Sequence, residues 1–300
     1  MKEKRSKGQD IGLSVIFILT GFLGFSQTKG VVKDSITGQP IAYVSVWVEN
    51  ETIGTTAEEN GQYVINTNDK SKNLIFSVLG YERKVVNVSE AQNVVLSPSA
   101  LELVEVMIYN KKEKKQIEIG KTKSVIQEAF DNGPRMDAKF FPYEPNYKKT
   151  KWIKKVTILT DSKVEDATIK LHLYAVDENG FPAKELLSKD YIVTLQKGIF
   201  KHKVDISEFN IQMPKNGLFV AFEKLIIARN KLEKTITDYN SNTTKTQITY
   251  SPLVLYNSVE KEYLFSYSGG KWIKLTKEEL NAYSTTRSVY EPNINLILTD

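Results

Sequence analysis

The 300-residue chain contains no cysteine and only two histidines. Without cysteine there is no disulfide, no thiolate metal site, no cysteine nucleophile and no acylated cysteine of the bacterial lipoprotein kind. The histidines, His172 and His202, lie far apart in sequence, and neither stands in a helical His-x-x-Glu pattern. A catalytic zinc takes three protein ligands plus a water, so no metal motif is legible. Gly-x-Ser-x-Gly is missing, and no two glycines are spaced two apart. Those absences remove the nucleophile elbow and the glycine loops that cradle dinucleotides and kinase phosphates. Gly 16 and Pro 9 are too few for a collagen-like or low-complexity chain. Nor is one sign of charge dominant, with 41 Lys and Arg against 36 Asp and Glu.

Long apolar runs are scarce as well. The one from Ile11 to Phe25 is about 15 residues, short of the roughly 20 that span a bilayer. Lys2, Lys4, Arg5 and Lys7 precede it, and Gly24 and Ser26 set small residues at positions −3 and −1 of a cut before Gln27. This pattern predicts a signal peptide over residues 1–26 and an exported protein, in the periplasm or on the outer-membrane surface, with no transmembrane segment after cleavage. Cleavage removes four basic and two acidic residues, so the net charge falls from +5 to +3. Nucleic-acid binding wants clustered positive charge, and none is expected here. The densest run, Lys111, Lys112, Lys114 and Lys115 around Glu113, reads as a solvated linker.

What is present is β-signal. Aromatic residues (Phe 13, Tyr 15, Trp 3) supply core-forming surface. From Thr28 to Leu96, short β-rich runs alternate with turn residues about every ten positions, the spacing of an antiparallel sandwich. Ala42, Val44, Val46 and Val48 share one strand face, and Tyr43, Ser45, Trp47 and Glu49 the other. Asn60 and Gly61 predict a tight hairpin with two positive φ angles. Taken in order, Gly30, Val32, Asp34, Thr37, Gly38, Pro40, Ile41, Val44, Val46, Gly54, Thr55, Asn60, Gly61, Tyr63, Leu74, Phe76, Gly80 and Tyr81 resemble the carboxypeptidase regulatory-like domain over about residues 28–98. That resemblance implies a small transthyretin-like Greek-key sandwich without catalytic residues of its own. Such modules sit beside peptidases and ahead of TonB-dependent receptors, in which a connecting strand follows. Leu103, Val104, Glu105, Val106 and Met107 look like that strand. Too few residues remain for a plug and a barrel of about 22 strands, so receptor function is not carried over.

The expected division is a signal peptide (1–26), the regulatory-like sandwich (27–98), a strand and charged linker (99–116) and a larger domain (117–300). In the last, Val125, Ile126, Ala129 and Phe130 suit a single helical turn before Gly133 and Pro134. From Trp152 onward apolar alternation predicts eight or more strands with no interleaved helices, which favours a jelly-roll-like antiparallel β-sandwich. The fold class is therefore all-β throughout.

Chemistry is harder to read. On the strand from Thr168, His172 lies with Lys170 and Tyr174 opposite the apolar residues and is expected to be solvated. His202 shares a face with Phe200 and Val204, as a hydrogen-bonded core histidine does. Asp161, Glu165 and Asp166 form an acidic group whose simplest reading is loop solvation. Most informative is Gly269–Gly270. A two-residue turn there pairs Ser268 with Lys271, Tyr267 with Trp272, Ser266 with Ile273 and Phe265 with Lys274. One face then carries Tyr263, Phe265, Tyr267, Trp272 and Lys274, the other Leu264, Ser266, Ile273 and Leu275. Either the aromatic face is core, or Tyr267 and Trp272 form an exposed platform beside Lys274 for sugar rings or a partner's apolar patch. The expectation is a non-catalytic exported binding or scaffolding protein that uses no cofactor and contacts an envelope polysaccharide or protein. Two alternatives stand beside it: an accessory of TonB-dependent uptake acting through Leu103–Met107, and a glycan hydrolase with two carboxylates.

Overall fold

Strict alternation of apolar and polar residues decides where strands form, and a computed structural model shows how they associate. It describes residues 27–67, 69–99, 115–122, 127–238, 243–280 and 289–300. The N-terminal unit is built from β1 (Thr28–Asp34), β2 (Ser45–Val48), β3 (Gly54–Thr56), β4 (Gln62–Ile65), β5 (Asn73–Ser77), β6 (Lys84–Asn87) and β7 (Asn93–Leu96). One sheet runs β4-β1-β7, with β1 and β7 parallel, and the other runs β3-β2-β5-β6. Between them Val32, Val44, Val46, Val48, Tyr63, Leu74, Phe76 and Leu96 form a closed apolar core. Tyr63 packs edge-on against Phe76 and donates its hydroxyl proton to the Ala91 carbonyl.

Two local expectations fail. Only Gly61 takes a positive φ (74°) in the Asn60–Gly61 pair, and the turn joins β3 and β4, which lie in different sheets. Asn60 Oδ1 instead accepts from the Gln62 amide at 3.0 Å, a side-chain turn in place of a hairpin. Tyr43 does not extend β2, because its φ of 55° lies in the left-handed region that side chains rarely occupy.

The C-terminal unit comprises β8 (Gln116–Ile119), β9 (Gln127–Ala129), β10 (Met136–Phe141), β11 (Trp152–Ser162), β12 (Ala167–Val176), β13 (Pro182–Glu185), β14 (Tyr191–Leu195), β15 (Gly198–Asp205), β16 (Leu218–Lys224), β17 (Lys231–Asp238), β18 (Thr243–Tyr250), β19 (Leu253–Val259), β20 (Tyr263–Ser268), β21 (Lys271–Thr276), β22 (Val289–Pro292) and β23 (Ile294–Thr299). Ala129 thus ends a short strand paired with β19 where a helical turn was expected, while Val125 and Ile126 lie outside the described residues. One seven-stranded sheet runs β13-β12-β16-β10-β20-β21, with β14 also on β12. The second runs β22-β19-β11-β23-β8, with β15 on β11 and β9 on β19. Ile169, Leu171 and Leu173 of β12, and Leu218, Val220 and Phe222 of β16, meet Val156, Ile158, Ile294, Leu296 and Leu298 in the main core. This is an all-β sandwich. No helix among the described residues is long and apolar enough to cross a membrane.

The two units are joined by hydrogen bonds as well as by chain. Ile226 N donates to Thr56 Oγ1 (3.1 Å), Ala228 N to Glu58 Oε1 (2.8 Å) and Asn50 N to the Gly269 carbonyl (3.2 Å). A β-carbon on Gly269 would lie 2.9 Å from Glu51 N, so glycine is what lets the β20–β21 turn seat against the N-terminal unit.

Candidate functional site

Because strand side chains alternate, the faces of β12 and β16 turned away from the main core carry Lys170, His172, Tyr174 and Glu223. The register places Lys170 opposite Glu223 and Tyr174 opposite both Phe219 and Glu185. Further along the same sheet Met136 pairs with Tyr267, which pairs with Trp272. The second face of β2, bearing Ser45 and Trp47, lies over this surface. Between the two units is a cavity of about 450 Å³, lined among others by Trp47, Tyr174, Tyr267, Trp272, His172 and Glu223. Small-molecule sites fall in this size range and favour domain junctions.

The wall is a continuous series of rings. His172 stacks on Tyr174 (5.5 Å, 8° between planes), Tyr174 meets Trp272 edge-on at 5.3 Å, Trp272 meets Tyr267 at 5.4 Å, and Tyr267 meets Trp47 at 6.0 Å. The series crosses from one unit to the other. Trp47 is buried, and Tyr267 and Trp272 are half-buried.

The floor is ionic. His172 Nδ1 lies 2.8 Å from Glu185 Oε2, and Nε2 lies 3.0 Å from Glu223 Oε2. Lys170, 1% exposed, donates to the Tyr43 carbonyl at 2.8 Å and stands 3.3 Å from Asp190 and 3.9 Å from Glu223. The left-handed Tyr43 therefore supplies a backbone ligand to this lysine across the junction.

Burial by itself would lower the His172 pKa, but hydrogen bonds from its ring to Glu185 and Glu223 overcome that and raise it to about 9. Burial would raise the Glu223 carboxyl, yet the charge of Lys170 and the bond from His172, with Ser45 adding a further bond, hold it down to about 2. Both groups are charged at neutral pH. With each ring nitrogen donating to a carboxylate, the imidazolium has no lone pair to offer a metal.

A histidine whose folded value is raised from 6.5 to about 9 contributes stability that is complete below pH 6.5 and is lost as pH rises through 9. The melting temperature is expected to fall between pH 7 and 9.5, by an amount corresponding to at most about 3 kcal/mol. A His172→Gln variant is expected to show a flatter profile in the same thermal scans, and equal slopes for the two proteins would contradict the assignment.

The other residues singled out in the sequence occupy distinct places. The β20–β21 hairpin has the expected register, and Tyr267 and Trp272 come together on the cavity wall. Neither a fully buried aromatic face nor an open platform results: Phe265 is buried, Tyr263 is 41% exposed, and Leu264 and Ser266 on the opposite face are buried too. Lys274 is exposed and lies over the Tyr263 ring at 3.8 Å, outside the cavity lining. Leu103, Val104, Glu105, Val106 and Met107 lie outside the described residues. His172 is not solvated, since the N-terminal unit covers its face. His202 is not hydrogen-bonded in a core: its Nε2 is buried without a partner among the described residues, and burial lowers its pKa. Asp161 pairs with Lys163 at 2.9 Å.

Residues 28–108 match the family model of the CarboxypepD_reg-like domain, so the N-terminal part of the chain carries the module its motifs resemble. No curated protein matches the chain. Among solved structures, the chain is similar to the infectious bursal virus-derived T=1 particle (10% identity, 92% of this chain, 58% of that chain, TM-score 0.21). It is also similar to the infectious bursal disease virus VP2 subviral particle (10%, 91% and 63%, TM-score 0.22). The chain spans about three fifths of those chains, and TM-scores this low carry no argument about fold or assembly.

Proposed function

We propose that the chain is an exported, non-catalytic binding protein of the bacterial cell envelope whose ligand occupies the junction cavity, with a sugar-like ring stacked on its aromatic wall. The observation that carries this reading is the ring series Trp47–Tyr267–Trp272–Tyr174, which lines a space of about 450 Å³ between the two units. Domains of the CarboxypepD_reg-like kind are non-catalytic modules, which favours binding over turnover. Export rests on the basic and apolar pattern of residues 1–26.

A hydrolase is the competing reading, because Glu185 and Glu223 both line the cavity. Glycoside hydrolysis needs one carboxyl held protonated as the acid. Glu223 is held ionised, and Glu185 is tied to His172 and to the Leu173 amide (2.7 Å). The pair is built as a strut.

Glycan-array binding of the wild type and Trp272→Ala tests the proposal. The wild type is expected to retain a defined set of glycans and the variant to lose about tenfold or more in affinity for them, the scale of one lost aromatic stack. Identical binding by the two proteins would show that the cavity is not where glycans dock.

A further inference from the structure

We infer that the ligand of the junction cavity is an anionic saccharide, a pyranose bearing a carboxylate or a sulfate ester; this rests on the binding role proposed above. Hydrogen-bonding capacity around the cavity is lopsided. On the floor the carboxylates are engaged: Glu185 by His172 and the Leu173 amide, Glu223 by hydrogen bonds from His172 and Ser45 and by the charge of Lys170 at 3.9 Å. What remains open toward the cavity is weighted to donors, since a tyrosine hydroxyl both donates and accepts. Trp272 Nε1 and the Tyr174 hydroxyl make no hydrogen bond to a described residue, although both side chains line the cavity. Indole N–H can only donate.

The rim adds positive charge. Arg83 gives one guanidinium hydrogen bond to the Gly270 carbonyl (3.0 Å), and Lys271 gives one to Asn50 Oδ1 (2.8 Å). Neither has an ion-pair partner among the described residues, and both keep further N–H groups free. Four cations, Arg83, Lys170, His172 and Lys271, thus line a cavity that holds two carboxylates. Asp190 behind Lys170 offsets one more, which leaves a positive surplus at the rim. Surplus donors and cations beside aromatic rings select a ring-shaped ligand rich in acceptors and negatively charged.

The test titrates full-length protein with digalacturonate, a sulfated galactose disaccharide and neutral digalactose, following tryptophan fluorescence at low and high salt. At least one anionic sugar is expected to bind about tenfold or more tightly than the neutral one at low salt, with the gap narrowing at high salt. The ratio between the two anionic probes tells carboxylate from sulfate. In an Arg83→Gln, Lys271→Gln double variant the anionic-to-neutral ratio is expected to fall to about one. Equal affinity of all three sugars for the wild type overturns the anionic assignment while leaving a sugar site. No response to any of the three overturns both the assignment and the binding role it rests on.

Discussion

Glu223→Ala is expected to lower the unfolding free energy by about 3–5 kcal/mol, read as a fall in the urea midpoint with little change in slope. The carboxylate sits between two cations that water barely reaches: Lys170 is 1% exposed, and the His172 side chain 13%. Removing it leaves Lys170 with Asp190 and the Tyr43 carbonyl, and His172 with Glu185 alone. The cost arises mainly from stranding buried charge, more than from losing attraction, because the desolvation of both cations is already incurred on folding. A control follows from that distinction. The double replacement Lys170→Met with Glu223→Leu, which leaves His172 paired with Glu185, is expected to cost less than Glu223→Ala alone. A single variant within about 1 kcal/mol of wild type, or a double variant worse than the single one, would show that the floor is not an ion network held against burial.

The same arrangement sets the floor of the cavity apart from its wall and rim. Its floor groups have their hydrogen bonds completed by one another, by the Leu173 amide and by groups of the N-terminal unit, so they fix how the two units meet. Tyr43 and Ser45 contribute to that floor from one unit, while Lys170, His172 and Glu223 contribute from the other. The groups without such partners among the described residues are on the wall and rim, where the proposed ligand would bind.

Strand identity was legible because period-two alternation is written locally: Ile169, Leu171 and Leu173 face a core, and the Gly269–Gly270 turn sets the register of β20 and β21. The cavity was not, since alternation tells which side chains share a face and is silent on what covers it. His172, sharing a face with Lys170 and Tyr174, read as solvated for that reason, as polar faces of antiparallel strands usually are. A signal did exist. Leu218 to Phe222 is an unbroken apolar run, the mark of a strand covered on both faces, and Phe219 and Ala221 share the face of Glu223. The partners of His172 are 13 and 51 residues away along the chain, so no local motif joins them. In β2 the full burial of Ser45–Val48 has the same origin, one face being covered by its own core and the other by the second unit.

Asp137→Ala is expected to be as damaging as the loss of Glu223, about 3–5 kcal/mol, for a different reason. The Asp137 side chain is fully buried, and four donors converge on it: Tyr256 Oη at 2.8 Å, Arg135 at 3.1 Å, Asn132 Nδ2 at 3.2 Å and Ser266 Oγ. Tyr256 belongs to β19 in one seven-stranded sheet, whereas Asp137 and Ser266 belong to β10 and β20 in the other, so this carboxylate pins the two sheets together. Arg135 is about a third exposed and will simply rehydrate, which makes the ion pair itself a minor loss. The Tyr256 and Ser266 hydroxyls are buried and will not, and each orphaned buried group costs about 1–3 kcal/mol. Ser266→Ala removes one donor and leaves three, so it is expected to cost only about 1 kcal/mol. Because the two residues share a bond, their effects are expected to be less than additive in a double-mutant cycle followed by urea unfolding. Asp137→Asn is expected to fall between wild type and alanine: the amide keeps the volume but brings a donor of its own to a place where the Arg135 guanidinium has only donors to give. Strict additivity of Asp137→Ala and Ser266→Ala would contradict the bond between β10 and β20, and strict additivity of Asp137→Ala and Tyr256→Phe would contradict the link that this carboxylate makes between the sheets.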